Sequence, residues 1–273
     1  MKNILLSLFF LFSGLFFTGC SDSSSNPLDF NLFTVEDDLK LGTDLDAQIR
    51  SNPNEYPLYT DTSANAYVQG IVNEIIKSSL IQYKNVFPYK VQLIRDNNTV
   101  NAFAIPGGYI YVYTGLCKFV DNEATLAAVL AHEIGHAEAR HSTKRMTKQY
   151  GLELLLQIVL GNNPSELEKL GGNLLTGLTL LKNSRDDEYE ADELSFRYLQ
   201  TSMWYAGAIK YFFDKIKTDD TADFLKTLLL THPLPEDRIE AVNKLINDAN
   251  LPLPSESNLF STRYTQFKNS LPG

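Results

Sequence analysis

Residues 121–141 read DNEATLAAVLAHEIGHAEARH. Asp121 and Asn122 are helix-capping residue types, and the alanine- and leucine-rich run from Ala124 to Arg140 predicts a single helix. Within it stands HEIGH at 132–136. Two imidazoles four residues apart differ by about 40° around a helix and lie about one turn apart. Both neutral ring nitrogens therefore reach one tetrahedral Zn²⁺ at about 2.0 to 2.1 Å. Glu133 projects about 100° from His132 and about 60° from His136, beside the ion and not necessarily bound to it. That is the position of a base that takes a proton from a metal-held water.

A protein set of three needs another ligand, and SRDDEYEAD at 184–192 offers a specific one. Glu188 and Asp192 are four apart on one helical face. Such a pair supplies one carboxylate to the metal and a second to the outward N–H of a ligating histidine, fixing its tautomer. Other zinc layouts fit poorly. A metzincin extends the motif with glycine and then a third histidine, where this chain has Ala139 and Ser142. His141 points half a turn away from His132 on a continuous helix, so it caps the helix or braces the site. A carboxylate motif of the kind that holds a substrate amine in aminopeptidases is absent, which favours cleavage of internal bonds.

The chain around these motifs has 273 residues, 44% apolar and 21% charged, a composition that builds a buried core. Thirty-three acidic against twenty-four basic residues leave a net charge of -9, which gives no general attraction to phosphate backbones and excludes nucleic acid as an expected partner. Cys20 and Cys117 are the only cysteines. Cys20 closes an export-signal pattern: Lys2, the apolar run Ile4 to Phe17, then Thr18 and Gly19. The run is short of the roughly 20 apolar residues of a membrane span. FFTGC at 16–20 resembles the bacterial lipobox, with Phe17 where leucine is usual. The expected organisation is a lipoprotein signal peptide at 1–19, a flexible Ser/Asp/Pro-rich tether at 20–33 with acylated Cys20, and one domain at 34–273. Ser21 after the cysteine implies, by resemblance to lipoprotein sorting, the outer membrane.

Apolar spacing of three and four predicts helices over Val35 to Ile49 and Ala64 to Leu80. Tyr89 to Ile94, Val100 to Ile105 and Tyr109 to Tyr113 predict a sheet of about three strands, the last two joined at Pro106-Gly107-Gly108. From Glu123 the pattern is helical almost to Asn250. The fold class is α+β, helix-dominated. Leu152 to Leu160 and Leu174 to Leu181 are apolar but too short to cross a bilayer, and residues 251–273 show little periodicity.

NAFAIPGG at 101–108, TGL at 114–116, HEIGHAEARH at 132–141, SRDDEYEAD at 184–192 and THPLPEDRI at 231–239 occur in order. Together they resemble the zinc metallopeptidase family that includes the HtpX heat-shock proteases, the CAAX prenyl proteases and the periplasmic proteases LoiP and BepA. The resemblance implies a gluzincin-type fold, one Zn²⁺ per chain held by His132, His136 and Glu188, and Glu133 as catalytic base. Asp192 is expected behind the ligands. His232, held extended by Pro233, is the candidate donor to the charge that develops on the carbonyl oxygen, with Arg238 second. In the family the matching histidine is also considered a reversible extra ligand that silences the enzyme. A strand edge at 101–105 is expected to hold substrate through its main chain, with Asn101 and Ala104 as contacts. The resemblance further implies a membrane-anchored periplasmic endopeptidase acting on unfolded or misassembled envelope polypeptides. The rival reading is a non-catalytic, chaperone-like envelope lipoprotein on the same fold.

Overall fold

The computed structural model describes residues 30–148, 183–218, 225–233 and 236–273. Cys20 with its leader and the stretches Leu152 to Leu160 and Leu174 to Leu181 lie outside the described residues. Helix α1 (Val35–Ser51) starts at Thr34, which forms a reciprocal capping box with Asp37, and α2 (Thr62–Ile75) starts at Asp61, whose carboxylate accepts from the Ala64 N–H. Strands β1 (Lys90–Ile94), β2 (Ala102–Ile105) and β3 (Tyr109–Tyr113) form the expected three-stranded sheet in the order β1-β3-β2. The central β3 runs parallel to β1 and antiparallel to β2, with Ala104 opposite Ile110. Leu58 bridges the outer side of β1 at Ile94, so β2 is the strand whose outer edge faces the site.

The turn between β2 and β3 depends on left-handed backbone at Gly107 and Gly108, with φ of 76° and 81°. Helix α1 lies directly on this turn. A Cβ built on Gly42 would stand 1.8 Å from the Pro106 carbonyl oxygen, so glycine at position 42 lets the helix touch backbone.

Beyond the sheet come α3 (Thr114–Phe119) and α4 (Glu123–Glu138), the latter capped by Asn122 as expected. Every residue of α4 is buried, which explains why it shows no polar face. Residues 141–148 are helical again after a break at Arg140, where φ is 58°. Then follow α5 (Arg185–Gln200), α6 (Ile209–Thr218), α7 (Lys226–Thr231), α8 (Glu236–Asp248), α9 (Glu256–Leu259) and α10 (Ser261–Ser270). Helices α4 and α5 approach closely where Gly135 meets Ala191, and the Ser195 hydroxyl donates to the Ala128 carbonyl at 2.8 Å.

Residues 251–273, whose pattern shows no periodicity, contain α9 and α10. Their order comes from long-range contacts: Tyr264 donates to the Cys117 carbonyl at 2.6 Å, and Phe267 stacks on Tyr67 at 4.1 Å. Cys117 itself is fully buried, and burial pushes its thiol up to about 12. At the other end, Asn31 donates to Thr143, Leu32 to Thr147, and Phe33 is buried, so residues 31–33 pack on the domain. Gly42→Ala is expected to lower the unfolding free energy by about 1 to 3 kcal/mol through overpacking against Pro106. Urea unfolding of both proteins measures it, and an unchanged midpoint would show that α1 moves freely off the turn.

Candidate metal centre

Helix periodicity places His132 and His136 on the same side of α4, and their Nε2 atoms stand 3.0 Å apart. Helix α5 brings in Glu188 from its first turn, which Ser184 and Asp187 fix with a capping box. Glu188 Oε2 lies 3.5 Å from His132 Nε2, and Oε1 lies 3.3 Å from His136 Nε2. His232, at the end of α7, puts Nδ1 3.0 Å from Glu188 Oε1. One ligand atom from each of these four buried residues lies within 4.8 Å of the others.

Donors held about 2.0 to 2.1 Å from a tetrahedral ion stand about 3.3 to 3.4 Å from one another. The spacings among His132, His136 and Glu188 match that figure. Glu188 Oε2 has no hydrogen-bond partner among the described residues, because Arg238 Nη1, although 2.6 Å away, is out of line for one. Two imidazoles and a buried carboxylate that converge in this way suit a divalent cation of the zinc type. A match to the family described as peptidase family M48 covers residues 62–246. The chain belongs to this family.

Relatives agree. A Vibrio cholerae protein, provisionally named a beta-barrel assembly-enhancing protease, is 30% identical over 226 residues, covering 76% of this chain and 43% of its own. The mitochondrial metalloendopeptidase OMA1 of Schizosaccharomyces pombe is 27% identical over 228 residues, 82% of this chain and 66% of its own. The metalloprotease YcaL of Escherichia coli is 28% identical over 211 residues, 73% and 81% respectively. The chain spans less than half the length of the beta-barrel assembly-enhancing proteases it matches. As an M48 peptidase domain it is metal-dependent in kind, helix-rich, and built around the small mixed sheet.

The remaining residues of this M48 site surround the cluster in layers. Asp192 Oδ1 stands 2.9 Å from His132 Nδ1, the ring nitrogen that faces away from Glu188. Arg238 grips Asp192 with Nε and Nη2 at 2.8 Å each, donates Nη1 to the Pro233 carbonyl at 2.8 Å, and covers the Phe213 ring. Its guanidinium is therefore committed to holding the acids. Asn183 was not singled out by any pattern, being one asparagine in a helix break. Its Nδ2 donates to Glu188 Oε1 and stands 3.1 Å from His232 Nδ1.

Glu133 is buried beside the cluster, with Oε1 3.7 Å from His232 Nε2. Burial raises its carboxyl above the ordinary range, while His232, His132 and the Ala104 backbone N–H oppose that rise. Burial alone would depress His132, but Asp192 and Glu188 carry it up to about 10. His136 falls well below the usual histidine range through burial and the neighbouring His132. Burial works against ionisation of Glu188 and Asp192, yet His232 with the other histidines holds Glu188 well below the carboxylate range, and Arg238 with His132 lowers Asp192.

Ala104 is half-buried on β2 next to Glu133, whereas Asn101 is buried with its Oδ1 lacking a hydrogen-bond partner among the described residues. A small cavity of about 30 Å³ opens beside His132 and Glu133, walled by apolar side chains including Val129, Phe212, Ile216 and Leu228. Removing the guanidinium by Arg238→Leu leaves two buried carboxylates without their partner, and is expected to cost about 3 to 5 kcal/mol of stability. Denaturant unfolding of the metal-free protein checks this, and a loss below about 1 kcal/mol, the range of a surface pair, would contradict it.

Proposed function

We propose that the chain is a zinc-dependent endopeptidase of the bacterial cell envelope that cuts unfolded or misassembled proteins, with one Zn²⁺ held by His132, His136 and Glu188. The observation that carries this reading is Glu133, buried beside the converging donors but not one of them, and lining an apolar cleft. A metal site with a purely structural role has no use for a carboxylate in that position. This disfavours the alternative of a chaperone-like envelope lipoprotein. When bound, the zinc ion acidifies a water and polarises the scissile carbonyl.

The chain's own residues do the rest. Glu133 accepts the proton of the attacking water and returns it to the leaving amine, a task for which a carboxyl raised by burial is suited. His232 Nε2, on the Glu133 side of the cluster, donates to the oxygen on which negative charge develops. Arg238 keeps Asp192 and Glu188 in place. The outer edge of β2, with Ala104 beside Glu133, aligns an extended peptide through its main chain, and the apolar cavity receives a side chain of that peptide. A segment without fixed structure meets these demands more easily than a folded surface.

The envelope assignment is supported by the export-signal pattern before Cys20 and by relatives named for beta-barrel assembly. Among the described residues no helix is long and apolar enough to cross a membrane.

Glu133→Gln is expected to bind one zinc per chain while casein cleavage falls by about 10² to 10⁴-fold or more. Metal analysis with a chelator-controlled protease assay tests both halves, and undiminished cleavage would refute the role of Glu133. Glu188→Ala is expected to fall below stoichiometric zinc after dialysis. Wild-type affinity in that variant would remove Glu188 from the ligand set.

A further inference from the structure

His136 directs Nε2 toward His132 and Glu188, and its other ring nitrogen, Nδ1, lies 2.8 Å from His141 Nδ1. Both rings are buried. On an unbroken helix, five residues of separation would turn His141 about 140° away from His136. The break at Arg140 returns it. Arg140 adopts φ of 58°, a left-handed conformation that is uncommon for a residue with a side chain. It is held there by its guanidinium, which reaches Asp38 and the carbonyls of Phe33 and Thr34. Local strain of this kind persists where the surroundings impose it. Its consequence here is that the stretch 141–148 starts with His141 against His136.

Two ring nitrogens at 2.8 Å need one proton between them, and the ligand role decides which ring carries it. A neutral His136 that offers its Nε2 lone pair to a metal carries its proton on Nδ1 and donates it to His141 Nδ1. His141 then carries its own proton on Nε2. That atom faces Glu190 Oε2 at 3.2 Å and Asp187 Oδ1 at 3.7 Å, both acceptors. The assignment is consistent along the whole line. His132 receives its carboxylate directly from Asp192, whereas His136 meets its carboxylates through an interposed imidazole.

We propose that His141 is the positioning residue of the metal centre, fixing the tautomer and ring orientation of His136 as the middle member of a His136–His141–Glu190 line. This rests on the proposed ligand set. Outer partners of this type typically contribute about 10 to 100-fold in metal affinity.

The test uses the full chain loaded with zinc or with Co²⁺. His141→Leu keeps bulk and loses the acceptor, whereas in His141→Asn the amide oxygen takes the place of Nδ1. Competition with a chromophoric chelator is expected to show zinc binding about 10 to 100-fold weaker in the leucine variant. Binding in the asparagine variant is expected to be restored most of the way to wild type. The Co²⁺ absorption bands should shift in the leucine variant only. Equal affinity and equal Co²⁺ spectra in wild type and His141→Leu would overturn the proposal, as would an asparagine variant no better than leucine. Failure of the wild type to take up zinc at all would instead refute the metal reading beneath it. Should the leucine variant not fold, long-range ¹H–¹⁵N spectra of the zinc-loaded wild type decide the matter. Protons on His136 Nδ1 and His141 Nε2 support the line, and a proton on His141 Nδ1 overturns it.

Discussion

A carboxylate removed from water must be compensated where it lies, and α5 buries two of them, Glu188 and Asp192, one turn apart. Arg238 supplies the only fixed positive charge that touches both among the described residues. Glu188 and Asp192, both held below the ordinary carboxylate range, outnumber that arginine and leave negative charge against the imidazoles of α4. Asp192 and Glu188 accordingly pull His132 upward against its burial. A divalent cation removes that negative charge while using the same lone pairs, which makes the metal a part of the electrostatic balance of the core as well as a reagent.

Such a balance needs a rigid frame, and α4 is anchored by acids at both ends. Glu123, in its first turn, accepts from Trp204 Nε1 at 2.7 Å and is also bound by Tyr67 and Arg263. Glu138, in its last turn, accepts from the Gln82 and Tyr83 N–H groups and from the Tyr89 hydroxyl. Elements distant in sequence therefore converge on the two ends of the helix that carries HEIGH. Ligands on a helix fixed in this way hold their geometry better than ligands on loops.

How much of this was legible depended on the kind of signal. HEIGH and the Glu188–Asp192 spacing were readable because a helix converts sequence intervals into angles, and the structure joins both pairs in one cluster. The strands around Pro106-Gly107-Gly108 were readable from alternation and turn chemistry. Three features had no local signature. Asn183 acts through one amide in a helix break. Helix α10 is placed by Tyr264 and Phe267 packing on α3 and α2. His141 was readable as a brace of the site, but its partner was not, because a positive φ at Arg140 overturns the angular arithmetic that a continuous helix would obey.

The segment from α7 to the start of α8 links the substrate side of the site to its metal side. Leu228 and Leu229 wall the cavity, His232 follows within one turn with its N–H on the Leu228 carbonyl, and Arg238 closes on Glu188 and Asp192. Asn183 ties the same segment to α5 twice, by its N–H to the Thr231 carbonyl and by its side chain between Glu188 and His232. A displacement of the cavity wall is therefore transmitted through a few covalent and hydrogen-bonded steps to the carboxylate at the metal position. The apolar wall at Leu228, the imidazole of His232 and the guanidinium of Arg238 thus come from neighbouring stretches of the chain, all packed against the acids of α5.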